Sequence, residues 1–273
     1  MERWSKNRSQ LEQLREQFDM SVNGIDNYPD NGRPSLIVAN HQGIIDVFSI
    51  PAAFVDKDDV HPVISSRSVW GISTPDKRSK RAAIERYLEA LPIECTIEGG
   101  NYRRDIGIRA ARLALQNLES VLIMPEGGYE RDGMVHKGFT GAARIILGAA
   151  TDDVTPNLVP VAVNNVDIAN IDRDNFDPRR AGCIDITVGQ PIDYAKQLSD
   201  YRQFEGDHSR RLEIMRGLTK VAMLGIAGLL GAKYDDSYIK LKNKKTHILE
   251  DGSEIPNAEF DHLYGVPPVM SRA

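Results

Sequence analysis

The chain has 273 residues, of which 41% are hydrophobic and 27% charged, ordinary values for a soluble globular protein with material for a sizeable core. Its 34 basic and 39 acidic side chains leave a formal charge of −5, which argues against nucleic acid as the main partner, since that partner selects basic surfaces. The two cysteines, Cys95 and Cys183, stand far apart with no Cys-x-x-Cys pair or Cys/His cluster, so neither a disulfide framework nor a metal site is indicated. No run reaches the roughly 18 apolar residues of a membrane span. The opening Met1-Glu2-Arg3-Trp4-Ser5-Lys6 lacks the apolar core of a secretory signal, which makes a cytoplasmic location the expectation.

Residues 1–20 read as an amphipathic helix, with Trp4, Leu11, Leu14 and Phe18 on one stripe and charged side chains elsewhere. Such a helix docks on the domain or lies in a membrane interface with Trp4 as its anchor. Residues 21–34 combine a short strand with a turn-rich loop. Leu36-Ile37-Val38-Ala39 is a buried strand, and a helix follows from about Ile44 to Phe54. Asn40 and His41 thus stand at the carboxyl end of a strand, where open α/β sheets collect ligands. With the helix starting near Gln42, Asp46 can reach back to the His41 ring. A carboxylate on one ring nitrogen fixes the tautomer and leaves the other free as a base. The ordinary alternative is a loop histidine beside an aspartate that favours the helix dipole.

A strand at Val60–Ser65 precedes residues 66–92, which read as a helix carrying the densest basic cluster, Lys77-Arg78-Ser79-Lys80-Arg81. That cluster is a solvated helix face or a landing patch for an anionic partner. Residues 92–97 form a strand that ends at Glu98-Gly99-Gly100. Arg103 and Arg104 follow, opening a helix with Ile108, Ala111, Leu115 and Leu118 on one stripe. The strand Val121-Leu122-Ile123-Met124 runs into the Gly-rich loop Pro125-Glu126-Gly127-Gly128-Tyr129-Glu130-Arg131. Lys137 starts the next helix, whose N-terminus could hold an anion.

Residues 157–163 are another apolar strand, and residues 182–188 alternate like a strand with one wet face. A helix from about His208 to Leu230 is apolar nearly all round in residues 221–232, so that part is buried or touches something greasy. The alternation of strands and helices predicts one α/β domain over residues 21–232, with a mostly parallel or mixed central sheet flanked by helices. Residues 233–273 form a polar tail that wraps the surface or dangles.

Taken in order, Asn40-His41-x-x-x-x-Asp46, an Arg-bearing segment, Pro125-Glu126-Gly127 and Val159-Pro160-Val161-Ala162-Val163 resemble the glycerophospholipid acyltransferase family. Its best-known activity is 1-acylglycerol-3-phosphate acyltransferase. The likeness spans roughly residues 20–195, including Gly24-Ile25-Asp26-Asn27-Tyr28-Pro29, the Lys137-Gly138 step and Gly189-Gln190-Pro191-Ile192. It implies transfer of a fatty acyl group from a thioester, acyl-CoA or acyl-carrier protein, to a hydroxyl of a glycerol phosphate, lysophospholipid or related acceptor. It implies no cofactor, and it suits a protein that touches the inner membrane face peripherally. A free alcohol is a poor nucleophile, so a base must take its proton; the resemblance gives that role to His41, oriented by Asp46. No Gly-x-Ser-x-Gly elbow is present.

The oxyanion needs donors, and backbone N–H groups near Gly127 and Gly128 are candidates. Glu126 falls in the family's acceptor-binding loop. Two departures stand out. Gly128-Tyr129 replace the family's Thr-Arg, and Glu98-Gly99-Gly100 occupy the bend where an arginine holds the acceptor phosphate. Phosphate recognition then passes to Arg103, Arg104, Arg131 or Lys137, or is lost. A non-catalytic lipid or carrier-protein binder, and a thioesterase using the same His-Asp pair on water, are the rival classes.

Overall fold

The computed structural model describes residues 11–13, 15–16, 19–43, 46–58, 60–65, 93–95, 97–98, 101–102, 104–127, 132–165, 183–237, 246–248 and 254–256. The expected helix over 66–92 with its basic cluster, and Trp4, Arg103, Gly128 and Arg131, lie outside the described residues.

The strand residues sort onto two faces by the period of two that a pleated strand imposes. In β2 (Ser35–Ala39), Leu36 and Val38 face one core and Ile37 and Ala39 the other. In β7 (Ser120–Ile123), Val121 and Leu122 divide the same way, as do Leu158 and Val159 in β9 (Asn157–Asn165). Both faces must therefore be covered. Helix α1 (Asp46–Ala53), buried along its whole length, fills one side. On the other lie α2 (Arg104–Gln116), α3 (Gly141–Ala149), α4 (Ala195–Gln203) and α5 (His208–Leu230). The result is a helix–sheet–helix sandwich, the expected α/β class. Truncating a fully buried strand residue such as Leu36 to alanine would cost roughly 2–5 kcal/mol.

The central sheet has seven strands in the order β1-β10-β9-β2-β7-β3-β4, completed by β1 (Asp19–Asn23), β3 (Val60–Ser65), β4 (Ile93–Cys95) and β10 (Cys183–Val188). Strands β9, β2, β7, β3 and β4 run parallel; β10 is antiparallel to β9 and pairs with a parallel β1 at that edge. From β2 the chain leaves through α1 to β3; from β7 it leaves across the opposite face through α3 to β9. The two connections depart in opposite directions, so β2 and β7 flank a topological switch point, where the loops after adjacent strand ends part and leave a crevice.

Several local expectations change. The N-terminal helix was expected to reach residue 20, but Asp19 and Met20 already pair with β10. Leu118 is not part of the buried stripe of α2. It is 60% exposed with φ 65°, occupying the left-handed position that ends a helix, while the Glu119 N–H donates back to the Ala114 carbonyl. The helix expected from Lys137 starts at Gly141. Before it, β8 (Met134–His136) pairs in parallel with β11 (Lys233–Asp235), the first residues of the polar tail. Helix α4 gave little sequence signal: none of its residues is fully buried, and only Leu198 and Tyr201 pack partly against the core. In the second half of α5, Ala222, Met223, Ile226 and Ala227 are buried, whereas Val221 and Leu224 face outward. Short pairs β5 (Ile97–Glu98) with β6 (Asn101–Tyr102), and β12 (Thr246–Ile248) with β13 (Glu254–Pro256), complete the described structure, β12 lying against β6.

Candidate active site

The apolar run of β2 ends at Asn40, a buried amide at the strand's carboxyl end. Its Nδ2 donates to the Val163 carbonyl and its Oδ1 accepts the Val163 N–H, both at 2.8 Å. The side chain thus satisfies both backbone groups of one residue of β9 and holds the end of β2 in place. Leaving either group buried and unpaired would cost roughly 1–3 kcal/mol.

The next residue is His41. Asp46, the first residue of α1, turns Oδ2 back to accept the Gln42 N–H at 2.6 Å and the Gly43 N–H at 2.9 Å, and meets His41 Nδ1 at 3.0 Å. The Asp46 side chain is fully buried while the His41 side chain is 19% exposed. A carboxylate only accepts, so the contact assigns Nδ1 as the donor and, in the neutral ring, Nε2 as the acceptor. Three donors around one buried oxygen satisfy the charge that burial would otherwise penalise.

Facing this loop is the one that follows β7. Glu126 is 3% exposed, and its two oxygens accept main-chain N–H groups, Oε2 from His41 at 3.0 Å and Oε1 from His136 at 2.8 Å. Burial pushes its carboxyl above the ordinary range, and these two N–H bonds oppose that shift. The loop bends at Gly127, whose φ is 69° and whose position a Cβ could not share with the Phe139 ring, 2.9 Å away. The Gly127 N–H donates to the Met124 carbonyl at 3.2 Å. Gly138 is equally tight: a Cβ there would meet Pro125 at 2.8 Å.

Of the residues singled out from sequence, the structure brings His41, Asp46 and Glu126 together directly. Gly127 adjoins them in the loop. Lys137 lies beyond β8 and pairs with Asp236 at 3.2 Å. Arg104 is the first residue of α2. Asn40 was expected at the strand's carboxyl end and in the motif, and Asp132 in the Gly-rich loop, neither with a role; His136 and Asp235 were not singled out. A polar residue closing a fully apolar strand was the available sign for Asn40. For the others the sequence carries no local sign, because their partners are remote or follow a tight turn. Among the described residues no three of His, Cys, Asp or Glu are grouped to hold a metal ion.

The acyltransferase family model matches residues 19–164, more than half of the chain. The chain belongs to the acyltransferase family. The match runs from β1 into β9 and includes His41, Asp46 and Glu126. No curated protein matches this acyltransferase. Among solved structures, it is similar to the crystal structure of the 1-acyl-sn-glycerophosphate (LPA) acyltransferase PlsC from Thermotoga maritima. The TM-score is 0.50 at 19% identity, over 84% of this chain and 81% of that one. That likeness extends the shared fold past the residues that the family model matches.

Proposed function

We propose that this acyltransferase moves a fatty acyl group from a thioester, acyl-CoA or acyl-carrier protein, to a hydroxyl of a glycerol-phosphate or lysophospholipid acceptor. The observation that carries the reading is the 3.0 Å contact between His41 Nδ1 and the buried Asp46 carboxylate, with the His41 ring partly open to solvent. Nε2 takes the acceptor hydroxyl's proton as its oxygen bonds to the thioester carbonyl carbon. The tetrahedral intermediate expels the thiolate, and the imidazolium returns the proton to sulfur. Asp46 keeps the imidazolium oriented and stabilises its charge throughout. The acyl group goes directly from sulfur to oxygen, so no protein nucleophile is required. The acceptor class is supported by the name of the PlsC structure, a 1-acyl-sn-glycerophosphate acyltransferase.

Peripheral contact with a membrane belongs to the same proposal, since a lysophospholipid acceptor resides there. No helix among the described residues is long and apolar enough to cross a membrane. The test is thioester consumption by the purified protein with and without lysophosphatidic acid. His41→Ala should retain the fold and lower turnover by a factor on the order of 10²–10⁴. Near-normal turnover in that variant would remove His41 from the base role. Consumption of thioester at an equal rate without acceptor would identify a thioesterase instead.

A further inference from the structure

We infer that His136 is a positioning residue for the His41 base, acting through Glu126, and that Lys233–Asp235 is part of the site. This rests on the reading of His41 as the base. Glu126 links two peptides distant in sequence: one oxygen holds the N–H of His41 and the other the N–H of His136. The His41 N–H lies one bond from the Cα that carries the imidazole, so its bond to Glu126 restricts where the ring can sit. The restriction is only as rigid as the other end of the link.

That other end is built firmly. The His136 side chain is buried, with Nε2 at 2.7 Å from Asp132 Oδ2 and Nδ1 at 3.4 Å from Asp235 Oδ2. One acid comes from the loop that contains Glu126, the other from β11. A neutral imidazole donates from one nitrogen only; Nε2 makes the hydrogen bond to Asp132, while Nδ1 is buried facing Asp235 without a hydrogen bond. Around it, β8 and β11 pair in register, with Val135 opposite Tyr234 and His136 opposite Asp235. The Lys137 N–H donates to the Ser237 carbonyl at 3.0 Å, and Asp236 takes both the Lys137 and Lys220 ammonium groups. Residues 233–237, well past the family match, therefore brace the peptide that Glu126 holds. The path runs from Asp235 through His136 and Glu126 to His41 and Asp46.

A purely structural staple would show itself as lost stability with normal catalysis per folded molecule. A positioning role predicts a different pattern. In the full chain, His136→Gln and Asp235→Asn should lower kcat on the order of tenfold to a hundredfold, the scale on which small displacements of a reacting group act. The acceptor KM should change far less, and the acid limb of the kcat–pH profile should move, because that limb reports the base. Asp235 is 36% exposed, so its asparagine variant tests the idea even where His136→Gln fails to fold. The companion measurement is the NMR titration of the His41 ring, which needs no substrate. It should be displaced in both variants relative to the unsubstituted protein. An unchanged His41 titration together with unchanged kcat in Asp235→Asn would overturn the inference. So would a loss confined to the acceptor KM, which would make the segment an acceptor-binding element. Absence of acyl transfer by the unsubstituted protein would count against the proposed function alone, while the NMR comparison would still decide the positioning role.

Discussion

At the scale of single residues, the His41–Asp46 pair was legible because all of its geometry is local. A buried strand, a two-residue corner and a helix start fix where position 46 lies relative to position 41. The Asp46 oxygen confirms that economy, gathering the Gln42 and Gly43 N–H groups as well as the ring. Asp46→Asn tests what the charge adds. Asparagine keeps the shape but presents a neutral amide to a ring that must become cationic during transfer. Turnover should fall by a factor on the order of 10²–10⁴ while the acceptor KM stays near its original value. A rise in KM alone would show that Asp46 binds substrate and does not serve the base. The partnerships that escaped the sequence reading are mostly non-local: Asn40 answers a residue 123 positions away and His136 meets Asp235, and no periodicity encodes such meetings; the Asp132–His136 contact is four residues apart but lies outside any helix.

Among the elements, the long periodic helix α5 and the apolar strands of four or more residues were read closely, and the three-residue strands β8 and β11 were not. Helix α5 runs over His208–Leu230 as its apolar pattern required, capped by the Asp207 side chain on the Arg210 N–H and closed by Gly231 at φ 61°. Strands β8 and β11 have three residues each, too few to show a period of two, and they exist because they pair with each other. Their pairing has a pH dependence of known sign. Lys220 holds the Asp236 carboxyl below its ordinary range, with slight burial opposing and Lys137 adding to the effect. A depressed folded value means that the contribution is present above the unfolded carboxylate range and is lost as pH falls through the folded value. Acid should therefore loosen β11 from Lys137 and Lys220. Amide NMR shifts of Tyr234 and Asp235 should follow that transition, and Asp236→Asn should abolish it. An identical acid transition in the variant would assign the titration to another group, such as Asp132. The Asp132 carboxyl is also lowered: burial opposes the shift, and the Met134 N–H and the His136 ring outweigh it.

At the scale of the whole molecule, the alternation of strands and helices announced the α/β class. It could not announce strand order, because order depends on which face each connecting helix covers, and that is a tertiary choice. The switch point between β2 and β7 brings the His41 and Glu126 loops together from positions 85 apart in sequence. The same logic extends the working unit beyond the family match, which ends at residue 164. Helix α5 covers β9 and β2, and Leu218, Met223 and Ile226 lie buried in the core shared with Leu36 and Val38. Beyond it, β11 and the residue that follows reach the site through Asp235 and Asp236. Two truncations separate these layers. A chain ending at Ser237 retains α5 and β11, and should melt cooperatively and keep its kcat. A chain ending at Ala232 retains the α5 packing but removes the acids that face His136, Lys137 and Lys220. It should still fold, with kcat reduced as in Asp235→Asn. Equal kcat in the two truncations would confine the site to the residues before α5 ends. A kcat already lost at Ser237 would instead place the β12–β13 pair, through its contact with β6, among the elements that catalysis requires.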